Sequence, residues 1–224
     1  NTEDHLTGGI YCPSGNLTII LEGSNSIAMA HSPGIKDGGF ANLTISGKGS
    51  LYIATDNNQD AIYAGPVAVS IAGGAQVALE AAGCGIKLMS GGSLRVDDAT
   101  LSITAGADGI YMNTGNVNII DSSVDISADC CGINLGYGCL DVGESDLEIA
   151  GGWDGVYCIG CVCLAGCTVD SIIGERGCGI YGADITIEDT TAEEIASTGL
   201  LRPDGEVSIS RSNVDVAGIW ADGD

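Results

Sequence analysis

The sequence is poor in positive charge. Seven Lys and Arg stand against thirty Asp and Glu, a formal net charge of −23. Such a chain has little to set against phosphate, which argues against nucleic acid as a partner. Docking on an anionic membrane is disfavoured for the same reason. The partners that suit it are neutral polymers, cations, or anionic polymers bridged by cations. Long apolar runs are also missing, so no bilayer-spanning segment is expected. Four prolines rule out a Pro-rich linker and a collagen pattern. Aromatics are scarce at 4%, yet apolar residues reach 45%, mostly Ile, Leu, Val and Ala. Small and branched side chains of this kind fill narrow layers. Without an initiator Met or a signal peptide, Asn1 reads as the start of a mature or trimmed chain.

What is abundant is glycine, 36 residues, and cysteine, 10 residues, in a chain of 224. The glycines fall in a repeat. A Gly-Ile-like doublet recurs at Gly9-Ile10, Gly34-Ile35, Ala61-Ile62, Gly85-Ile86, Gly109-Ile110, Gly132-Ile133, Gly155-Val156 and Gly179-Ile180. Successive doublets lie 25, 27, 24, 24, 23, 23 and 24 residues apart. Each unit carries three short alternating runs. From Gly109 these are Ile110 and Met112, Val117 and Ile119, then Val124 and Ile126. Alternation with period two marks a strand with one buried face. Gly, Asn, Asp and Ser fall between the runs, where turns are needed.

Three strands and three turns in about 24 residues make one coil of a parallel β-helix. A single coil cannot bury its apolar side, so coils must stack, Ile on Ile and Leu on Leu. The expected fold is all-β, a right-handed single-stranded parallel β-helix of about nine coils. At ~4.8 Å per coil the rod would be on the order of 43 Å long. The chain reads as one domain, 1–224, with an irregular segment at about 190–203 before a last doublet at Gly218-Ile219. Only Thr190–Ala196 carries a trace of helical spacing.

The phrases Gly15-Asn-Leu-Thr-Ile, Asn42-Leu-Thr-Ile-Ser-Gly-Lys-Gly-Ser-Leu-Tyr-Ile53 and Asp108-Gly-Ile-Tyr resemble clostridial cell-surface proteins described as carbohydrate-binding domain-containing. That resemblance covers about residues 8 to 188. It implies a right-handed parallel β-helix of pectate-lyase-like shape. It also implies a secreted or cell-surface location, a polysaccharide partner and a possible role for calcium.

In a stacked coil, equivalent residues form columns. The residue after each doublet points outward and reads Tyr11, Lys36, Tyr63, Lys87, Tyr111, Asn134, Tyr157, Tyr181 and, beyond the irregular segment, Trp220. Most of the aromatics stand in this column. Tyr63, Tyr111, Tyr157 and Tyr181 are therefore candidate sugar-stacking residues, with Lys87 and Asn134 as hydrogen-bonding partners. Outward Tyr also simply favours strands, which is the plainer account. A second column, Asp125, Glu148 and Asp170, groups carboxylates as Ca²⁺ requires. A solvated acidic face is the plainer account, given the net charge. Asp60, Asp108 and Asp154, just before alternate doublets, suit turn capping.

Cys158, Cys161, Cys163 and Cys167 invite a metal reading. The strand pattern instead sends Cys158 inward, Cys161 and Cys163 outward, and Cys167 to a turn, so they do not converge. Cys139 and Cys161 are the one pair in register on neighbouring coils. Three function classes follow: a non-catalytic polysaccharide-binding module, expected as a monomer; a polysaccharide lyase; and a structural stalk or adhesin. For a lyase, the best catalytic candidate is Arg95, one column from Asn118 and Asp141.

Overall fold

The structure, a computed structural model, describes residues 9–39, 42–89, 91–197, 201–203 and 205–216. Among these residues every regular element is a strand, and the strands stack in parallel as nine coils. The chain is a right-handed parallel β-helix, as the repeat predicts. Each coil contributes to three faces. Face 1 holds the runs that follow the doublets, such as Ile86–Leu88, and face 2 the second runs, such as Gly92–Asp97. Face 3 holds the third runs, such as Thr100–Ala105, and forms a separate nine-stranded sheet. Faces 1 and 2 join into one fifteen-stranded sheet. They join because Ile110–Ile120, Val156–Ala165 and Ile180–Glu188 run unbroken around the corner.

The doublet register holds throughout. Ile35, Ile62, Ile86, Ile110, Ile133, Val156 and Ile180 stack in one column, none more than 1% exposed. The glycines before them have a steric cause. A Cβ at Gly34, Gly85, Gly109, Gly132, Gly155 or Gly179 would lie no more than 3.1 Å from the γ2-methyl of an Ile on face 3. Those Ile are Ile53, Ile103, Ile126, Ile149, Ile172 and Ile195. Only one of these internal coils breaks the rule, with Ala61. There the face 3 residue in register between Ile53 and Ile103 is Leu79, which has no methyl on its Cβ. Glycine is needed where the facing side chain is β-branched, and alanine suffices where it is not.

The corners are held by side chains that accept a backbone N–H from a neighbouring coil. At the corner between faces 3 and 1, the Oδ1 atoms of Asp60, Asp108 and Asp154 accept the N–H of Cys84, Cys131 and Cys178 at 2.8, 3.0 and 2.6 Å. These are the capping roles expected of the three Asp. Between faces 2 and 3, Ser122, Ser145, Thr190 and Ser212 accept the N–H of Ala99, Ser122, Cys167 and Thr190. Between faces 1 and 2, Asn42, Asn116 and Asp184 accept from Ala68, Cys139 and Glu206. Polar turns stacked without such acceptors would leave N–H groups unpaired. On this last corner a disulfide, Cys139–Cys161, joins two coils, with Cα atoms 4.6 Å apart. It is the pairing expected from the register.

Within the segment expected to be irregular, Thr191–Ser197 and Leu201–Pro203 are strands. Thr191–Ser197 is the face 3 strand of the eighth coil and pairs with Thr168–Gly174. Its buried residues Ala192 and Ile195 are three apart because its register with Asn213–Val216 shifts between them. That bulge mimics helical spacing and accounts for the helical trace in the sequence. The ninth coil opens at Leu201, in register with Ile180, not at Gly218-Ile219. Gly218, Ile219 and Trp220 lie outside the described residues.

Candidate binding face

Face 1 carries the outward column in the predicted order. Tyr11, Lys36, Tyr63, Lys87, Tyr111, Asn134, Tyr157 and Tyr181 are successive register partners, and Arg202 follows where Trp220 was expected. From Tyr63 to Tyr181 every side chain is half-buried. Through Tyr181 the column contains five of the seven Tyr and two of the seven cations of the chain, and no acid. That contrasts with the net charge of −23 of the chain.

The rings do not lie flat on the face. Tyr157 and Tyr181 stack on each other, with centroids 4.9 Å apart and planes 11° apart. Their separation is close to the strand spacing, ~4.8 Å, so each turns a ring face toward the neighbouring rung. Lys87 Nζ stands over the Tyr111 ring, 5.7 Å from its centroid. Tyr111, Tyr157 and Tyr181 thus each turn a ring face to a neighbouring rung rather than lying as tiles turned to solvent. An extended sugar chain laid along the rod would therefore meet ring edges and hydroxyls. The polar members are anchored sideways. Lys87 Nζ is 4.0 Å from Asp60 Oδ2, and Asn134 Nδ2 donates to Asp108 Oδ1 at 3.3 Å. The capping Asp thus also positions the column.

Two further aromatics flank the same coils and escaped notice in the sequence. Tyr137, 65% exposed, ends the face 1 strand of the sixth coil. Trp153, 55% exposed, lies in the turn that enters the seventh, with Arg176 6.0 Å from its ring centroid. Neither belongs to a repeating column, so periodicity does not flag them. Their mark is isolation, a large apolar ring among turn residues.

The acidic trio is not in register. Asp125 faces Glu148, but the partner of Glu148 is Ser171. A bulge after Val169 displaces Asp170 from the column. Among the described residues no group of three His, Cys, Asp or Glu is placed to hold a metal ion. A separate acidic depression of about 410 Å³, lined in part by Asp98, Asp121, Glu144 and Asp146, follows the corner between faces 2 and 3. It does not border face 1.

Arg95 is in register with Asn118, and Asn118 with Asp141, as expected. Its guanidinium, however, donates to Asp97 on the same strand, at 2.9 Å. The other eight cysteines form no disulfide. Cys158 and Cys167 are buried, and Cys163 is half-buried on the outer side, as the alternation requires. Burial pushes the Cys84 and Cys131 thiols up to about 12, and nearby Asp60 and Asp108 add to the effect. These thiols are neutral at physiological pH and suited to packing rather than nucleophilic attack.

No protein-family model, curated protein or solved structure matches the chain. The architecture is therefore established by the coordinates alone, and the resemblance to clostridial surface proteins gains no family match.

Proposed function

We propose that the chain is a non-catalytic polysaccharide-binding module of a secreted or cell-surface protein, with face 1 as its binding surface. The observation that carries this reading is the outward column of five Tyr, two Lys and one Asn, free of acids on an otherwise acidic rod. A neutral polymer meets phenol hydroxyls, an amide and half-buried ring surface there, without a like-charge barrier. The face is rigid, so binding carries little ordering penalty on the protein side. Resemblance to carbohydrate-binding surface proteins points the same way. A calcium-assisted form would place the ion at Asp125 and Glu148, with oxygens of an acidic polymer filling the rest of a shell of roughly six to eight ligands.

A second reading, a structural stalk, is favoured by the corner ladders, which stiffen the rod without reference to any ligand. A panel of neutral and acidic polysaccharides separates the two, probed with and without millimolar Ca²⁺. The binding module is expected to be retained on at least one neutral polymer and to release no shortened product. Retention on none of them contradicts it and leaves the stalk.

A further inference from the structure

The ladder of face 1 has a missing rung. Tyr157 has one ring face against Tyr181. Tyr111 has one ring face covered by Lys87. Tyr181 and Lys87 lie on the outer sides of this pair of tyrosines, and Asn134 lies between them. The remaining faces of Tyr111 and Tyr157 therefore look toward each other across the Asn134 rung. They are two strand spacings apart, ~9.6 Å. A ring standing midway would be ~4.8 Å from each, the separation already realised between Tyr157 and Tyr181, 4.9 Å.

We infer that face 1 takes its ligand across the rod rather than along it: one six-membered sugar ring enters edge-first over Asn134 and is held between Tyr111 and Tyr157. This rests on the reading of face 1 as a polysaccharide surface and fixes the geometry of that surface. Three observations support it. Tyr157 and Tyr181 turn their faces toward neighbouring rungs, so a sugar stacked in the same way turns its own faces toward the rungs beside it and its chain runs with the coil. Asn134 is pinned through Nδ2 to Asp108, which leaves its amide oxygen to accept from a sugar hydroxyl. The two exposed aromatics lie where a chain crossing this rung would pass: Trp153 at the corner before face 1 and Tyr137 at the corner after it. The strand from Ile133 to Tyr137 spans on the order of 15 Å, room for about three sugar units.

Asn134→Tyr tests the slot. Tyr already occupies the flanking rungs, so the column accommodates another. In the transverse site the new ring fills the slot. On a platform running along the rod it would extend the stack. The probes are cello-, manno-, xylo- and chito-oligosaccharides from dimers to octamers, titrated by calorimetry. On the series the parent binds, affinity is expected to rise to about the trimer and then level off. Asn134→Tyr is expected to lose roughly ten-fold or more at every length. Equal or tighter binding by Asn134→Tyr overturns the inference. So does affinity that climbs through to the octamer; this second reading uses the parent chain and holds whatever the variant's folding. Tyr111→Ala and Tyr157→Ala separate the two levels. If they abolish binding while Asn134→Tyr does not, face 1 stands and the slot falls. If they leave binding intact, or the parent binds none of the four series, the polysaccharide reading fails and the slot with it.

Discussion

Faces 1 and 3 share an interior and differ outside. Inward, both present stacked branched residues: Ile62, Ile86, Ile110 and Ile133 on one, Ile53, Leu79, Ile103 and Ile126 on the other. Outward, face 1 carries aromatics and cations. Face 3 carries Ala78, Ser102, Asp125 and Glu148 along one column, and Glu80, Thr104, Ser127 and Ala150 along the next. Its described aromatic, Tyr52, is turned aside to donate to Glu80. The difference works as an internal control. Face 3 stacks nine strands with small and acidic residues outside, so this fold does not require outward rings to hold its ladder. The Tyr column of face 1 then calls for an explanation other than strand preference, and the proposed binding role is one.

The comparison can be broken first from the inside. Asp125 and Glu148 show that the outer side of face 3 accepts carboxylates on adjacent rungs. The inner side of face 1 cannot. Ile133→Asp would bury an unpaired charge in a fully enclosed stack and is expected to abolish folding. A soluble variant with an unchanged thermal midpoint would refute the register.

The corner that joins faces 1 and 2 gives the next largest effect. Opening the Cys139–Cys161 disulfide by Cys→Ser at both positions is expected to cost about 3 kcal/mol in denaturant unfolding, by the loop-closure relation for the loop it closes. No change in midpoint would mean that the neighbouring Asn116 and Asp184 hydrogen bonds suffice to hold those coils.

A smaller effect sharpens how the inner sides fit. Leu79→Ile conserves volume and sits on a strand that favours β-branching. It would nonetheless bring a methyl against Ala61, and is expected to destabilise by ~1–3 kcal/mol. Adding Ala61→Gly should restore most of that loss, with a measurable coupling energy between the two sites. Additive effects would show that the Gly-to-Ile pairing seen in the other coils is coincidental.

Much of this was legible in the sequence, and the exceptions have specific causes. The coils could be read because the doublet glycine is sterically demanded and so recurs. The disulfide could be read because register alone brings Cys139 beside Cys161. The start of the ninth coil could not be read because Leu201 lacks the doublet and arrives early. The acidic trio failed at a bulge whose signal was present: inward Val169 and Ile172 are three apart, where Leu147 and Ile149 are two apart. The turn of the ring faces toward neighbouring rungs was not legible. A column fixes where Tyr157 and Tyr181 stand, but the choice of rotamer turns them onto each other.

The central claim is that the face 1 column serves binding and not the fold. Its most direct test compares Tyr111→Ala/Tyr157→Ala on face 1 with Tyr52→Ala on face 3, by thermal melting and by retention on the polysaccharide that holds the parent chain. The account predicts melting midpoints within a few degrees for both variants. It also predicts loss of retention for the face 1 variant alone. Equal retention of parent and both variants, or collapse of the fold in the face 1 variant, would contradict it.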